Sequence, residues 1–304
     1  MNEACAPGSS RTVQLGGPVH YVDYGGNPDG PAVVLVHGLG GSHLNWDLLA
    51  PLLTGTARVV ALDLPGFGRS EPGGRKAGVP ANVAVLGRFL DEVVREPAVL
   101  VGNSMGGMIS ILTAAERRTS VRGLVLLDPA IPGPRKAPDP LVAQTFAAYA
   151  VPLLGERFLR RNRTRKDAVT RVRETLLLCG VDPDAVPPEV IDRSVSLLEE
   201  RKDVEGMDRA FLAAARSLLR ILADPRRYRR AMASIDVPVL LVHGQRDRLV
   251  HVAAARDVAA RHPHWRYTEL PDVGHVPQLQ VPARVAQEIL GWLAETVTAP
   301  AAQA

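Results

Sequence analysis

Residues 98–107 read Ala98-Val99-Leu100-Val101-Gly102-Asn103-Ser104-Met105-Gly106-Gly107. A short apolar run of strand length stops at a glycine, a serine follows two positions later, and an apolar stretch of helical length begins at Met105. Glycines two residues before and two after the serine suit a sharp strand-to-helix turn. There the serine is pushed into a sparsely populated backbone region, and side chains at the flanking positions collide. Such a turn lifts Ser104 Oγ out of a sheet. It also leaves the Met105 amide at a helix N-terminus, where unpaired N–H groups and the helix dipole favour a developing oxyanion. The competing reading, a glycine-rich phosphate turn, needs the Walker lysine or the G-x-G-x-x-G spacing, and both are missing.

Outward from this turn, β-branched runs that end in Gly, Asp or Asn alternate with helix-like stretches, as in a buried parallel sheet with crossover helices. The runs are 32–37, 59–63, 99–102, 124–128 and 239–243, with outer candidates at 20–24 and 266–270, which predicts seven or more strands. Helices are expected over 46–53, 82–94, 105–117, 253–261 and 283–294. The alternation fails over 132–233, where Pro132, Pro134, Pro138 and Pro140 lead into a long helical pattern without a strand. We read an α/β core over 1–131 and 234–304, with 132–233 as a helical cap inserted into it. The tail over about 1–12 is expected to be disordered and the end beyond Thr296 frayed. There is no internal repeat.

Three more loops complete a chemical pattern. His37-Gly38-Leu39-Gly40-Gly41 follows the strand 33–36 and offers the Leu39 N–H as a second oxyanion donor; His37 itself reads as a structural hydrogen-bonder. A serine hydroxyl needs a base to take its proton, and that base needs a partner to fix its tautomer. Gly274-His275-Val276, after the last strand, supplies His275 as the base. His243-Gly244-Gln245-Arg246-Asp247 supplies Asp247 as the acid. Asp128, ending the strand 123–127, is the rival acid, with Asp63 and Asp272 behind it. His20, His43, His251, His262 and His264 have no partner compatible with the elbow.

Composition limits the alternatives. With 46% hydrophobic and 22% charged residues among 304, the chain reads as a soluble globular protein, and no apolar run approaches the roughly 20 residues of a membrane span. A net charge of +4, from 36 basic and 32 acidic residues, with 4% aromatics, argues against a nucleic-acid partner. Met1 to Arg11 lacks the pattern of a secretory signal. Two cysteines, Cys5 and Cys179, suit a reducing cytoplasm. No metal-ligand spacing is visible, and neither metal nor cofactor is expected.

Taken together, HGLGG at 37–41, DLPGFGRS at 63–70, GNSMGG at 102–107, HGQRD at 243–247 and GHVPQLQ at 274–280 resemble the α/β-hydrolase superfamily, in particular its capped esterase, haloperoxidase-like and carbon–carbon hydrolase branches. The resemblance covers about 18–131 and 234–296. It implies a mostly parallel central sheet flanked by helices, Ser104 as nucleophile, His275 as base, Asp247 as orienting acid, and Leu39 and Met105 amides facing the oxyanion. A serine at 104 separates the chain from the epoxide hydrolase and haloalkane dehalogenase branches, which use a carboxylate there. Leu39-Gly40-Gly41 and Val276 depart from the diketone-cleaving branch, which favours carboxylesters, thioesters or lactones, an EC 3.1.1 type of activity.

The expected partner is a small-molecule acyl substrate, with the protein a monomer or homodimer. Phe146, Tyr149, Leu153, Leu154, Phe158 and Leu159 could roof an acyl pocket or pack the cap. The eight basic residues over 157–173 read as a solvated helix face, or as an attractor for an anionic substrate, a carrier protein or a membrane surface. Carbon–carbon cleavage, acyl transfer, or a cofactor-free cyclase or lyase step stays open on the same fold. A non-catalytic ligand-binding role has no need of all three triad members.

Overall fold

The computed structural model describes residues 8–134 and 139–296; Cys5, Pro138 and the end beyond Thr296 lie outside them. Eight strands run in chain order as β1 (Ser9–Gln14), β2 (Pro18–Gly26), β3 (Ala32–Val36), β4 (Arg58–Leu62), β5 (Ala98–Asn103), β6 (Val121–Leu127), β7 (Val239–Gly244) and β8 (Arg266–Leu270). They form one sheet in the order β1-β2-β4-β3-β5-β6-β7-β8. β1 and β2 pair antiparallel, as do β2 and β4, and every later pair is parallel.

The central strands are Val- and Leu-rich because both faces are covered. Along β3 and β5, Val34, Val36 and Leu100 enter one apolar core, while Val33, Leu35, Val99 and Val101 enter the other. The helices are α1 (Ala50–Leu53), α2 (Val79–Phe89), α3 (Met105–Glu116), α4 (Pro140–Ala150), α5 (Leu154–Arg165), α6 (Ala168–Leu178), α7 (Pro188–Glu200), α8 (Met207–Ala223), α9 (Arg226–Ala233), α10 (Val252–Arg261), α11 (Pro277–Gln280) and α12 (Pro282–Thr296). Trp292 and Ile289 of α12 fill the second core, with Leu53 of α1. Met108 and Ile109 of α3 fill the first.

The structure departs from the sequence reading in three places. Residues 9–12, expected in a disordered tail, belong to β1, whose polar side chains pair through backbone with β2 and need no apolar signal. The helix expected over 46–53 is split into a 3-10 turn, His43–Trp46, and the single turn of α1, with Pro51 at the start of the latter. The helical stretch between β6 and β7 is present as α4 to α9, but α9 packs against α3, and Tyr228 O–H donates to the Ala130 carbonyl at 3.1 Å. That last helix therefore lines the core, although it carries few apolar residues to announce it. No helix among the described residues is long and apolar enough to cross a membrane.

The sheet order reverses at β3: β4 lies on one side and β5 on the other. Loops leaving the ends of β3 and β5 diverge at such a switch point and open a crevice at the carboxyl edge of the sheet.

Candidate active site

Ser104 sits in that crevice with φ 55° and ψ −119°, directly before α3. A serine in the left-handed half of backbone space stores strain on the order of 1–3 kcal/mol, tolerated only where the surroundings over-determine it. The surroundings are glycines. A Cβ on Gly102 would lie 2.6 Å from the Gly106 carbonyl oxygen, and one on Gly106 would lie 2.0 Å from that of Val36. The strand-to-helix turn is thus pressed against the end of β3. From there the next loop arrives: a Cβ on Gly38 would stand 3.0 Å from Ser104 Cβ. This brings the loop that carries Leu39, together with Met105, to the neighbourhood of Ser104.

His37 turns away from chemistry. Its Nδ1 lies 2.8 Å from the Gly38 carbonyl and its Nε2 accepts the Leu64 N–H at 3.0 Å. Burial pushes its pKa down to about 4, so the ring stays neutral and pins two loops together.

On the far side of β5, His275 Nδ1 lies 2.7 Å from Asp247 Oδ2. Asp247 Oδ1 accepts the N–H groups of Leu249 and Val250 at 2.8 and 2.9 Å, which fixes the carboxylate at the turn after β7. Burial works against the charged form of His275, yet the adjacent Asp247 charge and hydrogen bond outweigh it and raise the imidazole above its ordinary value. Burial likewise opposes the Asp247 anion, and His275 and His243 together hold that carboxyl below the usual range. Asn103 joins the two halves of the site: its amide donates at 3.0 Å to the carbonyls of both Leu127 and His275. Among the described residues neither Ser104 Oγ nor His275 Nε2 takes a hydrogen-bond partner. Bonds of this kind often tighten only around bound substrate.

Asp128 stands behind this pair. Its Oδ1 accepts the Gly244 N–H at 2.8 Å, while Oδ2 is buried without a partner. Burial, with the nearby Asp247 charge, pushes its pKa up to about 7. His243, fully enclosed at the end of β7, places Nε2 3.6 Å from Asp128 and 3.4 Å from Asp247. It raises no alarm in the sequence, because a histidine ending a strand before glycine is a common structural feature. Asp272 is surface-exposed and paired with Arg246, and of the four carboxylates weighed only Asp247 touches the imidazole.

A second buried cluster escaped sequence reasoning. His20 Nδ1 and His43 Nδ1 lie 2.8 and 2.9 Å from Asp63 Oδ2, and the N–H groups of His43 and Arg69 also point at that carboxylate, at 2.7 and 2.8 Å. Burial opposes the charge, but these donors hold the Asp63 carboxyl far below the usual range. Two groups among the described residues, His20/His43/Asp63 and Asp128/Asp247/His275, bring three donor atoms within 4.8 Å of one another. In the first, both Nδ1 atoms are spent on the same carboxylate oxygen. That suits a hydrogen-bonded hub tying β2, the loop after β3 and the loop after β4. Asp63→Asn is expected to cost about 3–5 kcal/mol of stability at pH 7, since buried donors lose their anion. Because the folded pKa is depressed, that stability is present above the unfolded value of about 3.9 and fades as pH falls through the folded one. Urea titrations of both proteins should therefore converge toward low pH; equal stability at pH 7 would refute the hub.

Comparison with known proteins follows the same lines. A family model described as alpha/beta hydrolase fold matches residues 31–282. The chain is 28% identical over 294 residues to the dihydrolipoyllysine-residue acetyltransferase component of the acetoin cleaving system of Pseudomonas putida, covering 96% of this chain and 71% of that protein. It is 29% identical over 280 residues to the pimeloyl-[acyl-carrier protein] methyl ester esterase of Xanthomonas oryzae pv. oryzae, covering 87% and 96%. Among solved structures, Cfl2 of Burkholderia cenocepacia superposes with a TM-score of 0.78 at 24% identity over 96% and 97% of the two chains. Haloalkane dehalogenase DbeA of Bradyrhizobium elkani USDA94 does so with 0.76 at 22% over 96% and 99%. These structural likenesses speak for the fold alone. With the match running from the start of β3 to the start of α12, across the elbow and both partner loops, the chain belongs to the α/β-hydrolase fold family.

Proposed function

We propose that this chain is a serine hydrolase, of carboxylesterase type, that cleaves a small-molecule carboxylic ester, thioester or lactone through an acyl-enzyme. The observation that carries the reading is the pairing of a strained, glycine-flanked Ser104 with a buried His275–Asp247 couple bridged to it by Asn103. Ser104 Oγ attacks the acyl carbonyl while His275 Nε2 takes its proton. The oxyanion is received by the amides of Met105, at the N-terminus of α3, and Leu39, in the loop after β3. His275 then protonates the leaving group and afterwards activates water against the acyl-enzyme. Asp247 keeps the imidazole in the tautomer whose Nε2 is free and offsets the charge it acquires.

The insertion α4 to α8 acts as the cap over this crevice. Phe211 of α8 leans onto the loop after β3, where a Cβ on Gly40 would lie 3.3 Å from its ring. Tyr149 stacks edge-on to Phe211, and Phe146 to Tyr149, so an aromatic wall borders the acyl side. Identity to a methyl ester esterase supports ester chemistry, and Cys179, kept as a thiol, fits a cytoplasmic setting.

Labelling with an active-site-directed fluorophosphonate, followed by peptide mass spectrometry, tests the reading: the adduct is expected on Ser104 alone, and an unlabelled protein overturns it. The rate should also carry an acid limb. Only neutral His275 accepts a proton, and its pKa is raised, so kcat/KM is fully developed above that value and lost below it, with a midpoint higher than the ~6.5 of an ordinary imidazole. A pH–rate profile with its acid midpoint below 6 contradicts the His275–Asp247 assignment. The acetyltransferase relative favours a second outcome for the same acyl-enzyme, capture by an alcohol or thiol in place of water. Partition of the acyl group in the presence of an added thiol separates the two.

A further inference from the structure

We propose that the turn leaving α6, at Cys179 and Gly180, is a positioning element for the general base, so that the insertion helps to build the active site as well as covering it. The proposal rests on His275 being the base. His275 is buried, and its N–H donates at 2.8 Å to the Cys179 carbonyl, which belongs to the insertion. The His275 carbonyl accepts from Asn103 at 3.0 Å. The main chain of the base is thereby held on one side by the insertion and on the other by the residue beside the nucleophile.

Close approach on both partners supports the role. A Cβ on Gly274 would lie 2.6 Å from the Cys179 carbonyl oxygen and 2.7 Å from that of Gly180. Gly180 has φ +74°, and a Cβ there would lie 3.0 Å from the carbonyl oxygen of Arg246, the residue before Asp247. Arg248, the residue after Asp247, completes the latch: its Nε and Nη2 bond Asp139 Oδ2 at the start of α4, and Nη1 donates to the Leu177 carbonyl of α6 at 3.0 Å. Val181, Val186 and Val190 of the insertion pack on Val276 and Leu279, directly after the base. A simple roof has no need to bond the backbone of His275 or to bracket Asp247 from both sides. Reach of the imidazole toward Ser104 depends on this frame, and displacement by about 1 Å costs on the order of 100-fold in rate.

The groups facing the imidazole are Asp247, Asp128 and His243 from the core. Among the described residues the insertion adds beside Asp247 the Cys179 thiol, which burial pushes up to about 12 and keeps neutral. A change in the acid limb of Gly180→Ala therefore reports geometry, and in Arg248→Gln the loss of a cation would by itself move the limb up, opposite to the fall that a displaced imidazole gives.

Two variants test this in the full chain with a soluble short-chain ester. Gly180→Ala strains the left-handed turn, and Arg248→Gln opens the latch while leaving the turn's own sequence intact. Both are expected to lower kcat by about 10- to 100-fold with KM within about twofold. The acid midpoint should move down toward that of a free imidazole, and the low-field proton resonance of the His275–Asp247 bond should shift or broaden. Arg248→Lys, which keeps charge but not the forked contact, should recover part of kcat. An unchanged kcat and acid limb in Arg248→Gln overturns the proposal, as does a rise in KM alone, which assigns the insertion to substrate contact only. Should Gly180→Ala fail to fold, Arg248→Gln decides by itself. If Ser104→Ala keeps wild-type turnover, the triad reading fails; if Ser104→Ala is inactive and Arg248→Gln is normal, only the positioning role fails.

Discussion

Ser104→Ala is expected to remove on the order of 10⁴- to 10⁶-fold from kcat, as loss of a nucleophile does in proteins whose triad acts as a unit, and to abolish phosphonate labelling. Folding should be almost unaffected. The Ser104 hydroxyl makes no hydrogen bond among the described residues, and Ala at φ 55° bears the same backbone strain as Ser. Ser104→Gly supplies the control. It is equally inactive, but it relieves the left-handed conformation, so its melting temperature should equal or exceed that of the wild type. Turnover of Ser104→Ala within tenfold of the wild type would falsify nucleophilic catalysis by this residue. A large fall in melting temperature for Ser104→Ala would mean that the serine was retained for packing.

Asp247→Asn and Asp128→Asn form the second test, because both carboxylates lie at the ends of neighbouring strands and both are buried. Asp247 holds His275 Nδ1 at 2.7 Å and takes two backbone N–H groups. An amide in its place presents an N–H or a weaker acceptor to the ring, and loss of the proper tautomer costs about 10⁴-fold in kcat. Asp128 is different. It does not touch the imidazole, one oxygen has no partner, and burial raises its pKa to about 7, so that about half of the molecules carry it protonated in neutral solution. An amide mimics that protonated state, so Asp128→Asn should cost less than about tenfold by the same yardstick. Steady-state kinetics on both variants decides the matter, and the reverse ranking would move the triad acid to Asp128.

How far the chain could be read in advance follows from the range of the physics involved. The elbow is local: Gly102, Ser104 and Gly106 are close in sequence, and the collision that demands glycine happens within the turn and against one neighbouring strand. The apolar runs of β3, β5, β6 and β7 announce a sheet covered on both faces because burial on both sides leaves only Val, Leu, Ile and Ala acceptable. β1 was invisible for the opposite reason. It is an edge strand held by main-chain bonds, and its exposed polar side chains carry no signal. α9 does not separate itself from the insertion in the sequence, because half of its residues are arginine and the two buried residues that seat it, Tyr228 and Met232, are too few to set a period.

The sequence by itself determined the sheet, the strand-to-helix turn with Ser104 at its tip, and the loops that carry His275 and Asp247, since each follows from burial pattern or backbone sterics over a few adjacent residues. Only the tertiary structure decided which carboxylate meets the imidazole, that His20 and His43 share Asp63 across three segments, and that Cys179 of the insertion holds the backbone of His275. Those contacts join residues separated by 20 to about 100 positions. A hydrogen bond over that distance depends on strand order and loop direction, which no local spacing encodes.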